Sequence, residues 1–173
     1  MAGKLTPPVH ADDHIQGEDT ATIELVEYGD YQCPYCGAAY PVVKRILETF
    51  PTQVRFIFRN FPLMQLHPFA MAAAVASEAA AVQDKFWDMH DIIFQNQRKL
   101  GVEGLFAMAH SIGLDIERFR EDMENESLQE KVSSDFESGM RSGVNGTPSF
   151  FVNGIKFDGG AEDLYDMLVR NSS

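Results

Sequence analysis

The sequence predicts an α/β core interrupted by an all-helical block, and three observations lead there. Runs rich in β-branched and aromatic residues stand towards both ends of the chain, at residues 23–28, 53–59 and 149–157. Between the first two lies a stretch whose apolar residues recur with helical spacing, and strand–helix–strand order calls for a parallel crossover. From Pro62 to about Gly143 no strand-like run occurs, and helix-favouring patterns take over.

Residues 1–20 are polar and carry Pro, Asp and His, and read as an extended arm. The first strand, at about residues 23–28, runs into Cys33-Pro34-Tyr35-Cys36. Pro34 falls in the first turn of the next helix, where proline is best tolerated, with Cys33 at or beside the N-cap. Val42, Val43, Ile46, Leu47 and Phe50 form that helix's apolar face, and Pro41 inside it should kink it. Residues 53–59 follow as a second strand. In the block, residues 68–84 are alanine-dense, and Phe86, Met89, Ile93 and Phe94 then share one side. Leu105, Met108, Ala109 and Ile112 keep helical spacing up to Gly113. Asp115 is placed to cap a short helix bearing Ile116, Phe119 and Met123. Ser127 is placed to cap another, whose Leu128, Val132, Phe136 and Met140 recur every four residues. After a loop at 143–148, a strand at 149–152, an Asn153-Gly154 turn and a strand at 155–157 read as a hairpin. Gly159-Gly160 leads into a last helix at 161–170. The expected organisation is an arm at 1–20, an α/β domain from 21–62 and 143–173, and a helical insertion at 63–142.

Lys plus Arg number 14 against 26 Asp plus Glu, a formal charge of −12. That field opposes nucleic acid and anionic lipid, so neither is expected as a partner. No apolar run approaches the roughly 20 residues of a membrane-spanning helix. Residues 1–20 also lack the apolar segment of a secretory leader. The expectation is a cytoplasmic protein as the chain stands, and a periplasmic one if a leader has been removed.

The chain has 2 cysteines, both in this corner. Placed so close together they close too short a loop for a structural disulfide to stabilise much. A cysteine at a helix N-terminus meets unpaired N–H groups and the positive end of the helix dipole, which lowers its pKa from about 8.5. Cys33 is so placed and reads as the exposed nucleophile. Cys36, one turn further in and less exposed, is within reach to resolve a mixed disulfide. Glu27, at the end of the first strand, is a candidate proton acceptor. Asp30 and Glu24 read as surface charge.

Three separated motifs carry a resemblance: 26–36 as Val-Glu-Tyr-Gly-Asp-Tyr-Gln-Cys-Pro-Tyr-Cys, Pro41 in the helix, and 143–150 as Gly-Val-Asn-Gly-Thr-Pro-Ser-Phe. Together they resemble the thioredoxin-like fold, a mixed central sheet flanked by helices, and more narrowly the DsbA-family thiol-disulfide oxidoreductases. Residues 58–63, with His67-Pro68, also resemble cytosolic and membrane-transporter-fused members of that family. The resemblance implies that Cys33 attacks, Cys36 resolves and Glu27 is the buried acid. It further implies that Pro148 is cis, with Thr147 facing the cysteines, and that substrate contacts fall on Pro34, Tyr35, Thr147 and Pro148. Polypeptide thiols or disulfides are the implied substrates, with a redox-recycling partner and no cofactor. DsbA has His where this chain has Tyr35, which implies a less acidic Cys33 and a less oxidising disulfide.

Two other functions compete. The cysteines, joined by His67, His90 or His110, could hold copper or zinc, although two thiolates fall short of a four-ligand site and none of the three histidines has local ligand spacing. Alternatively, a glutathione-linked transferase or isomerase shares this architecture and does not need the cysteine pair. Met64, Phe69, Met71 and Met89 read as core, with an apolar peptide groove as the other reading.

Overall fold

The computed structural model describes residues 3–172. Among them five strands form one sheet in the order β1–β3–β2–β4–β5. They are β1 (His14–Gln16), β2 (Ile23–Gly29), β3 (Val54–Asn60), β4 (Ser149–Val152) and β5 (Ile155–Phe157). The helices are α1 (Pro34–Thr49), α2 (Ala70–Val82), α3 (Phe86–Gln95), α4 (Val102–Ser111), α5 (Ile116–Met123), α6 (Glu126–Arg141) and α7 (Ala161–Asn171). β2 and β3 are parallel across the α1 crossover, and the other pairings are antiparallel. This mixed sheet with its flanking helices is the thioredoxin-like fold that the motifs imply. Among the described residues no helix is long and apolar enough to cross a membrane.

Strand alternation splits the core into two layers. Leu25, Phe56, Phe58 and Phe150 face Val42, Val43 and Ile46 of α1, with Met89 and Ile93 of α3 and Leu164 and Leu168 of α7. Val26, Tyr28, Ile57 and Phe151 face the other way, with Phe61, Leu5 and Val144, and Val9 and Phe136 packed beside them. Each such large apolar side chain contributes about 1.5–3 kcal/mol by leaving water. Glu27 pairs with Phe58 and Phe150 in register, so alternation puts its carboxylate on the α1 face. That is the face on which the cysteine corner sits.

The arm holds a strand that its sequence does not announce, because three residues are too few for a periodic signal. β1 pairs with β3, and Leu5 donates its N–H to the Gly154 carbonyl at 2.8 Å. Arg59, 1% exposed, makes a two-pronged bond to Asp13 at 2.9 and 2.8 Å. Burial pushes Asp13 up, yet the guanidinium outweighs it and holds the carboxyl below its ordinary range.

Several expectations are corrected. Asn125, not Ser127, caps α6, its Oδ1 accepting from the Ser127 N–H at 2.9 Å; a short amide side chain caps as well as a hydroxyl. Met140 is 60% exposed, because a four-residue repeat drifts about 40° per step around a helix of 3.6 residues per turn. Of the four residues read as core, Met89 is buried, whereas Met64 and Phe69 are exposed and Met71 lines a groove with Leu63, Met64 and Phe136. Glu24 is half-buried and pairs with Arg55, its register partner, at 2.6 Å.

Candidate redox site

β2 ends at Gly29, and four residues turn the chain into α1 with Cys33 as N-cap and Pro34 at the first helical position. Pro34 has no N–H to lose there, and its fixed φ starts the helix. Cys33 makes no side-chain cap bond, but the N–H groups of Tyr35 and Cys36 lie at the helix start beside its sulfur and favour the thiolate. Both cysteines are free thiols, and both are buried, Cys33 at 3% and Cys36 at 0%. The exposed nucleophile expected at Cys33 is thus covered, with the Thr147 carbonyl 3.7 Å from its sulfur.

The two thiols diverge. The Cys36 thiol donates to Cys33, which with the N–H groups outweighs burial and brings Cys33 down to about 5. The Thr147 hydroxyl also favours the Cys33 thiolate, and it is buried with no hydrogen-bond partner in the dithiol geometry. Burial pushes Cys36 well above the ordinary thiol range, and the bond to Cys33 and the charge of Glu27 add to it. Glu27, 3% exposed, is pushed up to about 8 by burial first and by the Cys33 charge second. Its carboxylate is accommodated by Gly29, where a Cβ would stand 2.8 Å from Glu27 Oε2.

The remaining expected residues gather here as well. The Thr147–Pro148 peptide is cis, both residues are half-buried, and Tyr35 is 74% exposed beside Pro34 on the outer surface of the corner. Of the histidines, His67 is bonded to Asp30 at 2.8 Å, and His110 is exposed on α4. His90 is buried, shares a hydrogen bond of 2.9 Å between its Nδ1 and the Tyr31 hydroxyl, and is pushed down to about 3 by burial. Among the described residues no group of three His, Cys, Asp or Glu could hold a metal ion.

Asp30 is not surface charge. It is 1% exposed, and Oδ1 accepts from the N–H groups of Gln32 (2.8 Å) and Cys33 (3.2 Å). Oδ2 accepts from the Leu63 N–H (2.9 Å) and His67 Nδ1 (2.8 Å). An Asp three residues before a helix opener is an Asx-turn signal that could have found it. Gln97, in a 3-10 turn after α3, donates to the carbonyls of Tyr31 (2.8 Å) and Cys33 (3.0 Å). A side chain at Gly37 would overlap that amide. No local pattern marks Gln97, since its partners are backbone atoms more than sixty residues away in the chain.

Residues 10–168 match the family model described as Thioredoxin. A thioredoxin-like oxidoreductase from Silicibacter pomeroyi DSS-3 is 29% identical, with a TM-score of 0.80 over 92% of each chain. Oxidised BdbD from Bacillus subtilis is 25% identical, with a TM-score of 0.85 over 98% of this chain and 94% of its own. The Na(+)/H(+) antiporter NhaA 1 of Salinispora arenicola is 42% identical over 156 residues, covering 90% of this chain and 24% of the antiporter. The chain thus spans about a quarter of the length of the curated relatives it matches. With a family model over most of its length and the fold of thiol-disulfide oxidoreductases, the chain belongs to the thioredoxin family, as a member with DsbA-type architecture.

Proposed function

We propose that the chain exchanges disulfides with polypeptide substrates through Cys33 and Cys36. One observation carries this: two free thiols stand one helical turn apart at the start of α1, with Cys33 against the Thr147 carbonyl at 3.7 Å, in surroundings that favour the thiolate at Cys33 and the thiol at Cys36. A substrate thiolate attacks Sγ of Cys33 in the oxidised site. A substrate–Cys33 disulfide forms, the Cys33–Cys36 bond breaks, and its electron pair leaves on Cys36. Cys36 then takes a proton, for which Glu27 is the buried donor, protonated below about 8. A second substrate thiolate attacks the substrate sulfur of the mixed disulfide and expels Cys33 as thiolate. The substrate gains a disulfide and the protein holds both electrons as a dithiol, which a recycling partner must reoxidise.

A good leaving group at Cys33 and a stabilised reduced form favour oxidation of the substrate. The Thr147 backbone, facing Cys33, is placed to pair with a substrate chain as an added strand. Pro34 and Tyr35 offer the outer contact surface. The stretch shared with the antiporters covers 90% of the chain and so includes the corner, and we assign to it thiol chemistry rather than the longer proteins' ion exchange.

Insulin reduction and oxidative refolding of a reduced protein test the assignment. Cys33→Ser should abolish both, and Cys36→Ser should accumulate covalent complexes that dithiothreitol releases. Wild-type turnover in Cys33→Ser would sink the reading. Turnover of glutathione conjugates that survives loss of both cysteines would favour the glutathione-linked alternative.

A further inference from the structure

Asp30 is tied to both cysteines and to a loop from the helical block. Its carboxylate accepts from the Cys33 amide at 3.2 Å, its carbonyl accepts from the same N–H at 3.1 Å, and its own N–H donates to Cys36 Sγ at 3.5 Å. Four donors converge on the carboxylate, two from the corner and two, Leu63 N–H and His67 Nδ1, from the segment between β3 and α2. A carboxylate has about four lone-pair sites, so this set fills them. It also places a negative charge in a buried position one turn ahead of the nucleophile, where unit charges interact far more strongly than in water. The imidazole on Oδ2 draws part of that charge away from the corner.

We propose that Asp30 and His67 form a positioning couple that sets the reactivity of Cys33, the carboxylate holding the thiolate's stability down and the imidazole relieving that restraint. Asp30 is buried, and the couple acts through the corner. The couple acts by fixing the turn and by its charge, and the two contributions have opposite signs. Lost fixation leaves the N–H groups of Tyr35 and Cys36 poorly aimed and makes Cys33 less acidic. Lost charge makes Cys33 more acidic. Through His67 the couple also links the redox corner to the exposed loop that carries Met64 and Leu66.

The inference rests on the proposed thiol chemistry, and its test reads that chemistry separately. The rate of alkylation of reduced protein against pH gives the Cys33 titration, and equilibration with mixtures of reduced and oxidised glutathione gives the exchange constant. In Asp30→Asn, Cys33 should titrate about half a unit lower and the exchange constant should shift about threefold towards the dithiol. In His67→Ala, at a side chain 19% exposed, both should move the other way by a similar factor. Opposite movements support the couple. Movement of both variants in one direction, or none in His67→Ala, overturns it; if Asp30→Asn does not fold, His67→Lys, which sets a full positive charge against Asp30 Oδ2, should titrate Cys33 lower than in the wild type, and a higher value overturns the couple. A wild-type protein whose thiols fail to equilibrate with glutathione would instead remove the proposed function beneath it.

Discussion

Glu27 and Asp30 are buried carboxylates three residues apart, yet the fold treats them in opposite ways. Asp30 collects four hydrogen-bond donors, whereas among the described residues none is recorded on the Glu27 side chain. Glu27 sits within the sheet, where the neighbouring N–H groups are already committed to the strand ladder, so burial alone dominates and lifts it to about 8. Asp30 lies just past the strand end, where turn and loop N–H groups have no ladder partner and can turn to a carboxylate. Burial does not by itself decide what a carboxylate does; the supply of free donors does. One carboxylate is left able to hold a proton near the cysteines, and the other is spent on holding the corner together.

Replacing each carboxylate by its amide is the sharpest test, and it carries the largest expected effect. The raised value of Glu27 means that its contribution to stability is fully present below its ordinary 4.5 and is lost as pH rises to about 8. Glu27→Gln removes that penalty. It should stabilise the reduced protein by about 3 kcal/mol at pH 7, and the gain should vanish near pH 4. Asp30→Asn should instead destabilise, by about 1–3 kcal/mol for each buried donor that the new NH₂ group cannot accept. Urea unfolding of both variants at pH 4, 7 and 8 checks the signs. A pH-independent effect of Glu27→Gln would break the comparison.

The carbonyl side of the corner is held from the helical block, by Gln97 reaching over Gly37. Gly37→Ala gains some helix propensity but forces the amide away from both carbonyls, and should cost about 2 kcal/mol net. Gln97→Ala should cost about 1–2 kcal/mol through its two lost hydrogen bonds. The double variant should be no worse than Gln97→Ala alone, because the clash is gone. Additive losses in denaturant unfolding would show that Gly37 and Gln97 do not share this contact.

What was legible in the sequence follows from where each signal is stored. β2, α1, β3 and the hairpin are written in local periodicity, and Asn153 and Gly154 take the positive φ that their turn requires, 49° and 84°. The nearness of the cysteine pair to Glu27 was legible because they lie on one short strand–turn–helix stretch. The burial of Asp30 was missed because its donors come partly from residues 63 and 67, and a charged side chain has no apolar periodicity to follow. Gln97 was missed for the same reason, in stronger form. β1 owes its place to pairing with β3 and to the Arg59–Asp13 contact, and neither is visible within its own three residues. Local chemistry read well, and long-range satisfaction of polar groups did not.

Tyr35 supplies the smallest effect and tests the comparison from outside the core. Its side chain is 74% exposed, so a charge introduced there is screened by solvent, whereas those of Glu27 and Asp30 are not. Tyr35→His adds a donor and a partial positive charge beside Cys33, which stabilises the thiolate and hence the dithiol. Glutathione equilibration at pH 7 should show the potential rising by about 5–10 mV, up to about twofold in the exchange constant. Below about pH 6 the imidazole is more fully charged, and the rise should be larger there than at pH 8. If the shift is confined to low pH and adds to that of Asp30→Asn, the exposed dipeptide and the buried carboxylate act independently on one thiolate. If Tyr35→His moves the potential much further than Asp30→Asn does, the residues between the cysteines govern the site and the buried carboxylates only support its shape.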